Sequence, residues 1–411
     1  MRVLQINKFF FEKGGTERYY FALSRALESR GHEVSHFSMH DPRNLPSPQA
    51  RHFVGHTDLR GGYSALQSVP RGLAFIRSRE AASKLGRLIA EKRPEIAHLH
   101  NIYHHITPSI IPVLEAAGVP VVMTLHDYKL ICPNYSLFDG RSYCFRCRGG
   151  RFFRAPFARC SEGSFLKSAL LAIESYWQKA TGVYGAVKFF LAPSRYIRAQ
   201  YVAEGFDEER VIYLPAFVES REGGQPAERR GDLPERYVLY LGRLSREKGL
   251  LTLMSAMERL DSVPLVVCGD GPLRDEMQRR AARAGDVRLL GHVERAGLQP
   301  VIAGAAAVVQ PSESPENAPF SVLEAMALGT PVIVSDMGGL PELAERAAGK
   351  VFPRGDAEVL AQRVREVWRD GGAEAAVRGP RAIESDFSRD THMERLEAVY
   401  RRAHVAGGVG A

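Results

Sequence analysis

Strand-length apolar runs alternate with helical patterns along this chain, stop, and then begin again. The first series places strands at 2–6, 96–99, 119–125, 189–192 and 211–214, each short and nearly all apolar. A strand covered on both faces reads that way, whereas one with a solvated face alternates. Between them, Tyr20, Leu23, Ala26 and Leu27 recur at helical spacing over 16–30 until Gly31 stops the pattern, and 81–92 and 194–204 are also helical. Residues 216–236 hold almost no core material and read as a linker with a variable loop. The series then restarts, with strands at 237–241, 265–268, 287–290, 307–309 and 332–334 and helices at 247–260, 273–284 and 320–328. Amphipathic helices at 357–369 and 391–404 close it. Such alternation builds a parallel sheet with helices on both faces. The expected fold class is therefore α/β, two doubly wound Rossmann-like domains facing across a crevice. The expected divisions are 1–215, a linker 216–236, 237–389, and a C-terminal helix and tail, 390–411, packing back toward the first domain. Sheets of this kind bind ligands at the carboxyl ends of their strands.

Composition narrows the class. Of 411 residues, 45% are hydrophobic and 25% charged, with 38 glycines and 5 cysteines, which excludes disordered, collagen-like and disulfide-scaffold chains. The formal charge of +8 favours anionic partners (phosphates, anionic lipid surfaces or nucleic acid) or is simply a basic soluble surface. No signal-peptide stretch precedes the charges at Lys8, Glu12 and Lys13, and the most apolar long window, 106–125, is broken by Pro108, Pro112, Glu115 and Pro120. A cytoplasmic location is expected, where cysteines bind metal or pack rather than form disulfides.

Three strand ends in the second series carry chemistry. Pro311-Ser-Glu-Ser-Pro-Glu316-Asn-Ala-Pro-Phe-Ser-Val-Leu-Glu324 puts a proline-rich loop with Glu316 before a helix that starts near Phe320. A helix N-terminus offers free amides and partial positive charge to a phosphate, and a carboxylate at Glu324 can accept from paired hydroxyls such as those of a ribose. Read alone, Glu324 is equally an acid stabilising the helix dipole. Leu241-Gly-Arg243-Leu-Ser-Arg-Glu-Lys248-Gly places two cations at another strand end, where Arg grips phosphate bidentately and Lys acts as a point charge; alone, it reads as a solvated basic turn. Cys268-Gly269-Asp-Gly271-Pro is a glycine-rich turn that any sharp strand-to-helix connection can use.

Taken in order and spacing, these motifs resemble the retaining glycosyltransferases of family 4, which have the GT-B fold of two Rossmann-like domains. The resemblance extends over nearly the whole chain, with Gly14-Gly15-Thr-Glu-Arg18 similar to the family's glycine-rich first loop and Leu125-His126-Asp127 to its strand-end His-Asp. It implies that the first domain faces the acceptor and the second binds the donor. Arg243 and Lys248 would hold the donor diphosphate, Glu324 the ribose hydroxyls, and Glu316 the transferred sugar. Gly15 would lie near the phosphates, where a side chain would clash, and His126 on the acceptor side of the sugar. The loop of Gly14, Gly269 and Gly271 would complete the donor site. The family's Glu-Gly-Phe-Gly loop here reads Glu316-Asn-Ala-Pro319, and Pro319 has no amide hydrogen, so amides of Ala318, Phe320 or Ser321 would serve the phosphates. The implied reaction is metal-independent front-face transfer with retention, the leaving phosphate taking the acceptor's proton and no covalent nucleophile; Glu316 in that role is the less favoured reading. No Asp-x-Asp placed for a metal-bound diphosphate is apparent. Implied partners are a UDP- or GDP-linked sugar and a glycan, lipid-linked or small-molecule acceptor, without nucleic acid. A nucleotide-sugar epimerase and a non-catalytic nucleotide-sugar-binding scaffold are the alternatives. A dinucleotide dehydrogenase is not supported, because no G-x-G-x-x-G follows the first strand.

After His126-Asp127 comes a cysteine-rich segment. Cys144-Phe-Arg-Cys147 has the spacing that puts two thiolates on one tetrahedral metal, with Cys132 and Cys160 lying 12 residues before and 13 after. A structural zinc is expected, with unmetallated packing the alternative. Residues 141–159 hold six arginines and no acid, interleaved with Phe145, Phe152, Phe153 and Phe157, before an apolar helical stretch at 165–177. That composition suits peripheral contact at the inner face of a cell membrane, or a solvated lid. His98, His100, His104 and His105 near another strand end line an acceptor pocket or simply pack, and Asp127 is either an acceptor base or an orienting partner of His126.

Overall fold

In the computed structural model, which describes residues 1–55, 75–218, 231–282 and 285–408, the chain forms two six-stranded sheets. The first consists of β1 (Arg2–Ile6), β2 (Glu33–Phe37), β3 (Ile96–Leu99), β4 (Val121–Thr124), β5 (Val187–Ala192) and β6 (Val211–Tyr213), in the order β2-β1-β3-β4-β5-β6. The second consists of β7 (Val238–Leu241), β8 (Leu265–Cys268), β9 (Val287–Gly291), β10 (Ala307–Gln310), β11 (Val332–Ser335) and β12 (Lys350–Phe352), in the order β12-β11-β10-β7-β8-β9. Every pairing is parallel. The winding reverses between β1 and β3 in one sheet and between β7 and β10 in the other, so each sheet opens a crevice at those strand ends.

Burial explains which strands the sequence reveals. β3, β4, β7, β8, β10 and β11 are buried at every residue. β2, Glu-Val-Ser-His-Phe, and the three-residue edge strand β12 were not anticipated, because neither makes a continuous apolar run. The helix expected from 247 starts only at Leu250: a 3-10 turn, Arg246–Lys248, precedes it, and Gly249 takes φ +70 between the two.

The lobes share core. Val3, Tyr19, Leu23 and Leu191 belong to one buried apolar cluster with Leu241, Val322, Leu340 and Phe387. The C-terminal helix Arg389–Gly408 lies against the first lobe, burying Met393, Leu396, Tyr400 and Ala403. The Tyr400 hydroxyl meets His98 Nδ1 at 2.7 Å, and Arg30 pairs with Asp390 at 3.1 Å. The linker reading needs correction at its start. Ala216, Phe217 and Val218 are buried, the Phe217 ring lies 4.8 Å from that of His392, and the Val218 amide donates to the Phe387 carbonyl. They are core because the chain passes under the C-terminal helix there; the linker residues 219–230 lie outside the described ones.

Close backbone contact holds the second lobe's strand ends together. Gly269 has φ +140, and a Cβ on it would stand 1.9 Å from the Gly242 carbonyl oxygen. Gly31 also has positive φ, at +80, but faces open space. Gly31→Ala should therefore cost about 1 kcal/mol, from left-handed strain alone. Gly269→Ala should cost ~2 kcal/mol or more, since backbone must also move. Urea unfolding midpoints of the two variants check this ordering.

Candidate active site in the interlobe cleft

The turn after β7 brings Gly242 and Arg243 to the crevice, and Arg243 extends exposed from it. Gly269 and Gly271 pack beneath this turn: a Cβ on Gly271 would lie 2.5 Å from the Leu244 carbonyl oxygen. The next turn delivers Lys248, whose Nζ donates to Glu316 Oε1 on the loop after β10. Ser312 Oγ donates to the same carboxylate oxygen at 2.8 Å and itself accepts from Gln310 at 3.0 Å. Gly249 makes this possible, because a Cβ there would fall 1.8 Å from the Pro311 carbonyl oxygen. Helix Phe320–Ala327 follows, with Pro319 at its N-cap and no side chain capping its first amides. Ala318 and Phe320 pack against the shared core, and Ser321 Oγ donates to Gln310 at 3.2 Å.

The first lobe faces this array with the start of helix Gly15–Ser29, for which Gly14 is the N-cap. A Cβ on Gly15 would meet the Phe320 ring at 3.6 Å, so the glycine loop and the donor-side helix start stand opposite each other. Arg18, one turn on, ion-pairs with Glu324 and stacks over the Phe320 ring at 4.4 Å. Asn317 spans the cleft as well, donating to the His126 carbonyl at 2.9 Å and accepting from the Tyr128 hydroxyl at 3.2 Å. Below, the Glu342 carboxylate accepts from the amides of Arg195 and Tyr196 at the start of helix Arg195–Ala203.

Beyond β4, His126 and Asp127 part company. His126 Nε2 meets His100 Nδ1 at 2.9 Å, and burial pulls His126 down to about 3, so its imidazole is neutral at working pH. Asp127 instead accepts from the Tyr103 hydroxyl and from the Lys129 amide at 2.9 Å. The reading of Asp127 as an orienting partner for His126 is thereby corrected: the two side chains bond to different neighbours. Burial raises Asp127 to about 6 despite the nearby Lys8 and Lys129 charges, and burial lowers Lys8 to about 8. Lys129 Nζ donates to Glu174 at 2.7 Å, both side chains being sealed from solvent. His98 and His100 are packing residues: their rings stack at 4.4 Å, and His98 bonds Thr124 and Tyr400. His104 stacks on Phe75.

Cys132, Cys144, Cys147 and Cys160 line one cavity of the cysteine-rich lobe. Burial pushes the Cys132 thiol up to about 11 and Cys147 to about 12, with the other thiols adding to both shifts. All four are free, and among the described residues no group of three or more His, Cys, Asp or Glu is placed to hold a metal ion.

Sequence comparison extends this picture over the whole cleft. The family model described as Glycosyltransferase Family 4 matches residues 13–222, and that described as Glycosyl transferases group 1 matches 225–382. The chain belongs to glycosyltransferase family 4. This GT-B glycosyltransferase is 32% identical, over 76% of each chain, to the Bacillus subtilis protein named a teichuronic acid biosynthesis glycosyltransferase, TuaC. It is 26% identical to the phosphatidyl-myo-inositol mannosyltransferase of Mycolicibacterium smegmatis, over 88% of this chain and 83% of that one. In fold it is similar to Anabaena HepE, solved with UDP, at TM-score 0.66 and 17% identity over 98% of this chain and 100% of that one. Sucrose-phosphate synthase from Thermosynechococcus elongatus superposes at TM-score 0.68 and 18% identity, over 99% of this chain and 100% of that one. The epimerase and the scaffold are set aside with the family.

Arg18 and Asn317 are the cleft residues that sequence reasoning passed over. Both lie inside motifs that were read, but their partners are 306 and 191 residues away. The buried carboxyl of Asp127 should titrate with a midpoint of about 6 in carbon-detected NMR. Lys8→Met should raise that midpoint, since losing a nearby cation penalises the ionised form. A midpoint near the ordinary value of about 4 would contradict the burial described.

Proposed function

We propose that this glycosyltransferase moves a hexose, with retention, from a UDP-linked donor to a lipid-linked glycan acceptor. The observation that carries the reading is the set of exchangeable charges at the cleft: Lys248 on Glu316 and Arg18 on Glu324, beside an exposed Arg243. Cleaving the sugar–phosphate bond leaves negative charge on the departing diphosphate. Arg243, Lys248 and the uncapped start of helix Phe320–Ala327 supply positive charge there, each donor contributing about 2.7–4 kcal/mol to barrier lowering, so none of it is routed through a metal. Once Lys248 turns to phosphate, Glu316 is free to accept from sugar hydroxyls. Once Arg18 yields, Glu324 accepts from the ribose. The leaving phosphate takes the acceptor's proton on the same face, Asp127 and neutral His126 line the acceptor side, and no covalent nucleophile is assigned.

UDP is favoured over GDP by the HepE structures, solved with UDP and with UDP-glucose. A glycolipid or polysaccharide acceptor is favoured by the names of the mannosyltransferase and teichuronic acid relatives. Glu324→Ala should weaken UDP binding about 10- to 100-fold by calorimetry, the range expected for hydrogen bonds to a charged group. Proton NMR of the glycosylated product should show the donor's α configuration; a β product would defeat retention.

A structural zinc on Cys132, Cys144, Cys147 and Cys160 belongs to the same proposal, and it needs the four thiols to close on one point of their shared cavity. Elemental analysis of chain purified without chelators decides it. About one zinc per chain, lost in Cys144→Ser/Cys147→Ser, supports the staple, and metal-free chain rejects it.

A further inference from the structure

Helix Phe165–Thr181 carries large apolar side chains on its exposed side as well as on its buried one. Its buried side carries Leu171 and Ala172 beside Ser168, Glu174, Ser175 and Gln178, while Leu166, Ile173 and Tyr176 point outward. Leu166 is 78% exposed, and Phe157 on the adjoining helix Arg154–Ala158 is 77% exposed. Of the ten exposed large apolar side chains among the described residues, six fall between residues 153 and 176: Phe153, Phe157, Phe165, Leu166, Ile173 and Tyr176. Phe157 and Phe165 meet edge to face with ring centroids 5.9 Å apart, and the Phe153 amide donates to the Tyr176 hydroxyl at 3.1 Å, so exposed rings of the two helices adjoin. Contiguous apolar surface of this kind marks an interaction site.

The polar residues of the inner side have a reason inside the protein. Glu174 holds Lys129 at 2.7 Å, and the Lys129 amide holds Asp127 at 2.9 Å, so this side floors the acceptor end of the cleft. The apolar outer side has none. Its flanking charge is positive: Asp139 is taken by Arg146, Glu204 by Arg148 and Glu162 by Lys167, leaving Arg151, Arg154 and Arg159 exposed without a carboxylate among the described residues. Apolar anchors fringed by unpaired cations match the interface of an anionic bilayer, where acyl chains take the rings and headgroups take the guanidiniums.

We propose that this face seats on an anionic lipid surface and so holds the acceptor side of the cleft at the bilayer. The inference deepens the proposed function and rests on it for the lipid-linked acceptor. Asp127 then lies on the cleft side of the Glu174–Lys129 pair, behind the seated helix.

Flotation of the full chain tests it, using vesicles of phosphatidylglycerol with phosphatidylcholine against phosphatidylcholine alone. The chain should float with the anionic vesicles and be released by salt. Phe157→Ser/Leu166→Ser should lower partitioning at least about tenfold, and Arg151→Gln/Arg154→Gln/Arg159→Gln roughly tenfold or more at low salt. These side chains are exposed, so unfolding midpoints should not move, and variants that float normally overturn the proposal. So does failure of the wild type to float. A dimer detected by light scattering and abolished by Phe157→Ser/Leu166→Ser, without flotation, would assign the face to a second copy instead. Flotation needs neither donor nor turnover, so its failure is distinguishable from a failure of sugar transfer.

Discussion

Four charges in the cleft have limited access to bulk water, and the chain pairs them with one another. Arg18 and Glu324 side chains are 17% and 19% exposed, and those of Lys248 and Glu316 are 25% and 14% exposed. Leaving one partner of such a half-buried pair without its counter-charge is expensive, which favours keeping each charge paired. Under the proposed function, a nucleotide sugar would offer three of the four a replacement (phosphate for Lys248, sugar hydroxyls for Glu316, ribose hydroxyls for Glu324), and Arg18 would turn away. Donor binding is then an exchange of partners, and its affinity is a difference between two sets of contacts. Arg243, exposed on its turn, makes no exchange.

Everything else in the fold serves to hold those pairs in register. Glycines at 249 and 269 allow the turns after β7, β8 and β10 to touch backbone to backbone, which brings Arg243, Lys248 and Glu316 to one place. Across the cleft, Asn317 is tied to the His126 carbonyl and the Tyr128 hydroxyl, and Glu342 caps a helix of the opposite lobe. Asn317 stands where the family's loop carries glycine, so the departure from the family pattern is itself a cross-lobe contact. The shared apolar cluster and the returning C-terminal helix make the two lobes one packed body.

Much of this was legible in the sequence, for a physical reason. Strands buried on both faces are mostly apolar, so β1, β3, β8 and β10 stand out in the sequence, while β2 and the short edge strand β12 do not. Motif residues at strand ends, such as Lys248, Glu316 and Glu324, fell into one cleft because doubly wound topology brings those ends together. What stayed hidden depends on approach between distant segments. Nothing local to Arg18 names Glu324, and nothing local to Phe217 says that it crosses beneath His392. The stretch 165–177 reads as apolar in the sequence, but only the structure shows that Glu174 is buried there, on Lys129.

The crystal structure of the chain grown with UDP is the most direct test of this exchange. The diphosphate should lie between the Gly15 backbone, Arg243 and Lys248, with the ribose on Glu324, Arg18 turned away from it, and Glu316 released from Lys248. UDP bound elsewhere, or bound in the cleft with the Arg18–Glu324 and Lys248–Glu316 pairs both intact, would contradict it.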